Sequence, residues 1–201
     1  MKDLVALVAD NTMRAALENI LQRASSLGIR PLSTDLYSHP RHDPGVLKES
    51  AAFLAPLREQ YSNALVMFDR EGCGQEDNSA KELQDTVQVQ LDRVGWADHS
   101  SVIVLDPELE IWVWSDSPHV SRILGVDRPE LDQLLTQYRI PGNVKPSRPK
   151  ELMEKVLRHS HIPRSASLYA DLARFVGIER CIDPAFLRLR SCLTQWFSSS
   201  R

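Results

Sequence analysis

Short unbroken apolar runs alternate along this chain with longer stretches whose apolar residues return every three or four positions. Leu4–Ala9, Ala64–Phe68 and Ser101–Leu105 are compact and rich in strand formers, which predicts strands buried on both faces of a sheet. Arg30–Tyr37, of mixed polarity, is a further strand candidate. Between them lie helical patterns: Met13, Leu17, Ile20, Leu21 and Ala24, closed by Gly28; Leu47, Ala51, Leu54 and Leu57 within Val46–Gln60, where Pro56 shortens or kinks the helix; and Leu83, Val87, Leu91 and Val94 within Ser79–Val94. The order βαβαβαβ predicts an α/β fold with a mainly parallel central sheet flanked by helices.

Beyond the fourth strand the pattern turns helical. Pro107 behind Asp106 as N-cap predicts a helix leaving that strand, in a segment, DPELEIWVWSD, that mixes Glu108 and Glu110 with two tryptophans. Further helices are expected at Pro118–Leu124, Pro129–Tyr138, Lys150–Arg158, Ala166–Val176 and Pro184–Phe197. Leu168, Leu172, Phe175 and Val176 read as core, as does the stripe Phe186, Leu189, Leu193 and Trp196, with Arg180, Arg188 and Arg190 nearby. The domain reading is an α/β domain over 1–125 and a helical C-terminal extension over 126–201, packed on the same core as a cap over one sheet edge.

In a parallel sheet the carboxyl ends of the strands share one side, and ligands bind there. Asp10 follows the first strand, where it either caps the next helix or faces a carboxylate on a neighbouring strand. The loop SHPRHDPG follows the second and gathers His39, Arg41, His42 and Asp43, a set suited to a metal, a proton or a phosphate but equally found in solvated turns. Asp69 and Glu71 follow the third. Two carboxylates two residues apart on extended backbone can share a hard cation such as magnesium. Glu108 and Glu110 either join them or only favour a helix N-terminus. The loop Pro141–Pro149, with Lys145, Arg148 and the adjacent Lys150, meets phosphates or serves as a connector. Ser165 and Tyr169 are within reach of the same end only if the fold brings them there.

Composition narrows the classes. At 201 residues, 42% hydrophobic and 25% charged, the chain suits one globular domain, neither disordered nor membrane-embedded. No apolar run approaches a membrane span and Asp10 interrupts the amino-terminal segment too early for a secretory signal, so a cytoplasmic location is expected. Three cysteines without CxxC spacing predict free thiols. A net charge of -3 argues against coating of nucleic acid by bulk electrostatics, while leaving room for a local basic patch.

The motifs VALVADNT, HPRHDPG, VMFDREGCG and PELEIWVWSD, in this order, resemble those of small TOPRIM-like proteins of a bacterial family found beside defence genes, including methylation-associated defence systems. The resemblance spans most of the chain and implies a TOPRIM-like fold for 1–125. It also implies a magnesium or manganese site for phosphodiester chemistry. Asp10 stands where the family has a glutamate, and Asp69-Arg70-Glu71 stands for a D-x-D. The expected catalytic residues are Asp10, Asp69, Glu71, Glu110 and His39, and the expected metal ligands are Asp10, Asp43, Asp69, Glu71 and Glu108. Two functions follow as expectations: a magnesium-dependent nuclease of antiviral defence, or a non-catalytic defence subunit that binds nucleic acid or a partner defence protein.

Overall fold

The computed structural model describes residues 1–140, 145–178 and 181–199. Strands β1 (Lys2–Val8), β2 (Thr34–Ser38), β3 (Tyr61–Asp69) and β4 (Ser100–Leu105) form one sheet, entirely parallel, in the order β2-β1-β3-β4. The central strands are the unbroken apolar runs: Leu4 to Val8 and Ala64 to Phe68 are fully buried because helices cover both faces. The edge strand β2 is only half-buried, which accounts for its mixed polarity. It begins later than Arg30. Upstream of it, the Asp3 carboxylate takes Arg30 and both the amide and hydroxyl of Ser33, and the Arg30 amide donates to Phe197, so this backbone is committed elsewhere.

Helices α1 (Asn11–Leu21) and α2 (Ala24–Leu27) split the first predicted helix in two, and Gly28 ends it in the left-handed conformation, φ 76°. Helix α3 (His42–Leu54) starts earlier than expected. Its first turn takes in Pro44, which is tolerated there because first-turn amides have no intrahelical acceptor. A 3-10 turn at Ala55–Leu57 holds Pro56. Helix α4 (Ala80–Leu91) opens with a capping box between Ser79 and Glu82. With the right-handed crossovers that parallel strands take, the strand order puts α1 on one face and α3 and α4, which touch each other, on the other.

No helix starts at Pro107. The Asp106–Pro107 peptide is cis, Glu108 is extended, and only a 3-10 turn, Leu109–Trp112, follows. The segment is held by other bonds: the Glu71 amide donates to the Pro107 carbonyl at 2.9 Å and the Leu109 amide to the Asp69 carboxylate at 3.0 Å. Helices α5 (Pro118–Leu124), α6 (Arg128–Tyr138), α7 (Pro149–Ser160), α8 (Ala166–Phe175) and α9 (Pro184–Phe197) complete the chain. Helix α8 lies along α1, and α9 lies against the edge strand β4, where Arg188 donates to the Val102 carbonyl at 2.9 Å.

One hydrophobic cluster runs from Leu4 to Phe197 through both halves of the chain. Phe175 is not in it. It is 44% exposed at the end of α8, whereas Leu168, Leu172 and Val176 are buried. Pro141 and Arg180 lie outside the described residues. Cys73, Cys181 and Cys192 are free thiols. Among the described residues no helix is long and apolar enough to cross a membrane.

Candidate functional site

The strand order reverses between β1 and β3: the chain leaves β1 toward β2 on one side and returns to β3 on the other. The helices that follow these two strands, α1 and α4, take opposite faces, and the crevice left between them is where open parallel sheets bind ligands. Val8 pairs with Met67, and that register continued by two residues sets Asp10 opposite Asp69. Both carboxylates therefore stand at the mouth of the crevice.

Each is placed by backbone. Asp10 caps α1, accepting from the Met13 amide at 2.8 Å, so capping and site position are compatible roles. Asp43, in the first turn of α3, accepts from the Asp69 amide at 2.8 Å and thereby bridges the second connection to the end of β3. Asp69 accepts from the Leu109 amide through Oδ1, and its Oδ2 takes no hydrogen bond among the described residues. Protein surrounds Asp69 closely, yet part of the residue stays open to solvent, as at the floor of a cleft.

Burial pushes the Asp69 carboxyl well above the usual carboxylate range, and the charges of Asp43, Glu110, Glu108 and Asp10 push it the same way. Asp43 is raised by burial and by Asp10, against the bond it accepts from Asp69. Glu108 is raised by burial, opposed by the Lys150 amide, which donates to it at 3.0 Å. Glu110, 1% exposed, accepts from Arg164 at 2.7 Å and from the Tyr169 hydroxyl. Burial drives the Tyr169 phenol upward, as does Glu110. Arg164 loses some of its preference for charge to burial, but Tyr169, Glu110 and Asp10 outweigh that and keep it cationic.

Asp10, Asp43, Glu108 and Glu110 are thus all near enough to act on Asp69 by their charge, and Arg164 is the cation bonded to Glu110. Two expected members are elsewhere. Glu71 lies past the end of β3, in a turn whose Gly72 and Gly74 take φ of 86° and 81°. The strand has ended there; Glu71 is exposed and adds to the charge felt by Glu108. His39 is buried with both ring nitrogens in use. Nδ1 accepts from the Arg41 amide at 3.1 Å, so Nε2 carries the hydrogen that faces Glu49, also at 3.1 Å. Burial lowers the His39 imidazole's affinity for a second proton. It ties the start of α3 to the end of β2 and has no free atom for the cleft.

The basic loop is also used internally. Lys145 donates to the carbonyls of Ile111 and Trp114, at 2.9 and 2.6 Å, and Arg148 pairs with Glu151. Arg164 was not legible as a site residue: it follows Pro163 in a connector with no periodicity to assign it. Tyr169 sits at a core position of α8, and only the fold shows that its hydroxyl meets Glu110.

Carboxylate oxygens are the donors a hard cation prefers. Among the described residues, however, no three or more His, Cys, Asp or Glu side chains form a group that could hold a metal ion. With these side-chain positions the cluster does not fit a ready-made magnesium site; its carboxylates are met instead by Arg164 and backbone amides. No family model, curated protein or solved structure matches this chain.

Proposed function

We propose that the protein is a phosphoryl-transfer enzyme, a nuclease acting on nucleic-acid phosphodiesters, that works at the β1–β3 crevice. The observation that carries this reading is the convergence of Asp10, Asp43, Glu108 and Glu110 on Asp69 at the switch point of the sheet. Crowded carboxylates cannot all ionise without positive charge nearby. A carboxyl that keeps its proton near neutral pH is a general acid, able to protonate the oxygen that leaves when a phosphodiester is cleaved. We assign that role to Asp69, whose carboxyl is pushed well above the usual carboxylate range. Its backbone bond to Leu109 fixes it, and its other oxygen takes no hydrogen bond among the described residues.

Magnesium or manganese belongs to the proposal as the alternative neutralising charge, and binding it requires the carboxylates to draw together. Antiviral defence and protein partners rest on the resemblance of VALVADNT, HPRHDPG, VMFDREGCG and PELEIWVWSD to the defence-associated family. The second reading, a non-catalytic subunit, is favoured by one observation: Glu108 and Glu110 already tether α7 and the segment leading into α8, through Lys150 and Arg164.

Incubation of wild type and Asp69→Asn with a labelled oligonucleotide, with and without magnesium or manganese, separates the two. The enzyme reading expects cleavage by wild type and a loss of about 100-fold or more in the variant, the usual worth of a general acid. No cleavage under any of these conditions, together with no heat of cation binding in calorimetry, leaves the binding-subunit reading.

A further inference from the structure

Away from the crevice, the C-terminal end of α8 gathers an exposed aromatic ring and several cations. Phe175 is 44% exposed. The guanidinium of Arg122, from α5, stands 5.8 Å from its ring centre, that of Arg174 6.0 Å, and the His119 ring 6.1 Å. These distances lie at the outer limit of a cation–π contact, so the ring is flanked rather than covered. Arg23 adds a third guanidinium, donating to the carbonyls of Ala173 and Val176 at 2.9 and 2.6 Å and so offsetting the negative end of the helix.

Among the described residues little negative charge meets Arg122 and Arg174. Arg174 meets Asp171 only at 4.0 Å and otherwise bonds the neutral Asn19; Arg122 bonds only His119 among the described residues. On a chain of net charge -3 this sets two exposed guanidiniums beside an exposed aromatic side chain. Single-stranded nucleic acid asks for that pairing: guanidiniums for phosphates and a ring on which a base stacks, whatever its identity.

We propose that Phe175, Arg122 and Arg174 form a contact site for single-stranded nucleic acid, the base on Phe175 and its flanking phosphates on the two arginines. The proposal deepens the phosphodiester reading above and rests on it for the choice of strand over other polyanions. It makes the patch the place where substrate is gripped outside the acidic crevice, whose charge repels phosphate.

The test is fluorescence anisotropy of a labelled single-stranded oligothymidylate, in chelator and at low salt, so that neither cations nor cleavage enter. Phe175→Ala is expected to weaken binding about tenfold and Phe175→Trp to preserve it. Arg122→Gln with Arg174→Gln is expected to lower the slope of log affinity against log salt by about 1.4, for two phosphate contacts. All these positions are exposed, and a melting curve for each variant verifies folding. Unchanged binding in the folded Phe175→Ala and double-arginine variants overturns the proposal. So does polyglutamate that binds as tightly as the strand and suffers as much from Phe175→Ala, which assigns the patch to an acidic protein partner. A strand that binds through the patch but is never cut leaves the patch standing and removes the nuclease reading.

Discussion

Removing Arg164 tests whether the acidic cluster is held together by charge. Glu110 is 1% exposed and Arg164 39% exposed, so Arg164→Met leaves a buried carboxylate with only the Tyr169 hydroxyl to answer it. Breaking a fully buried pair by deleting one partner costs about 3–5 kcal/mol. Water reaches the Arg164 side of this pair and screens it, which brings the expected loss to about 2 kcal/mol. For a chain of this size that is a fall in Tm of about 4–8 °C. Adding Glu110→Gln removes the stranded charge and keeps an acceptor for Tyr169, so the double variant should recover about half of the loss. Thermal and urea unfolding of wild type, both single variants and the double variant complete the cycle. If Arg164→Met melts within about 1 °C of wild type, or if the two substitutions simply add, the ion pair does not organise the site.

Asp69 gives a pH signature. Its folded-state carboxyl sits above the ordinary carboxylate range because of burial and four neighbouring carboxylates, so the folded chain keeps a proton that the unfolded chain has released. The contribution of this group to stability is therefore full below about pH 4 and is lost as pH rises through the raised value; Asp69→Asn should flatten that fall and unfold at higher urea than wild type at neutral pH, and parallel curves would contradict the assignment. Gly45→Ala should cost about 1–3 kcal/mol by overpacking, read as a lower urea midpoint, because a Cβ there would fall 2.1 Å from His39 Nδ1 and 2.8 Å from Arg41 Cβ. Asp183→Ala should cost about 2 kcal/mol in the same assay and change tryptophan emission, since the Asp183 carboxylate caps α9 through the amides of Ala185 and Phe186 and also accepts from Trp112 Nε1.

The sheet was legible because its central strands are buried on both faces and cannot carry charge: Leu4–Ala9 and Ala64–Phe68 announce themselves without any partner in view. Edge strand β2 was less so, since the bonds that shorten it come from Asp3 and Phe197, far away in sequence. In the site, Asp10, Asp43 and Asp69 could be read from their place after strands. Glu71 could not be judged, because whether a D-x-E shares one face depends on where β3 stops, and the turn at Gly72 decides that. His39 had the right chemistry and the wrong surroundings: Glu49 and the Arg41 amide use both of its nitrogens. The segment at Pro107 carried a helix-start signal that tertiary bonds from Asp69 and Glu71 overrode.

The Arg188 guanidinium on the Val102 carbonyl lies at the open flank of β4. A parallel sheet that ends in a bare strand offers its unpaired carbonyls and amides to any extended segment that drifts past, including the same strand of another molecule. The arginine of α9 occupies one acceptor of that ladder, so a second copy can pair at Val102 only by first expelling a charged group already bonded there. The C-terminal helices thus guard the protein against edge-to-edge association, and chains shortened before α9 should be the ones that form filaments or precipitate.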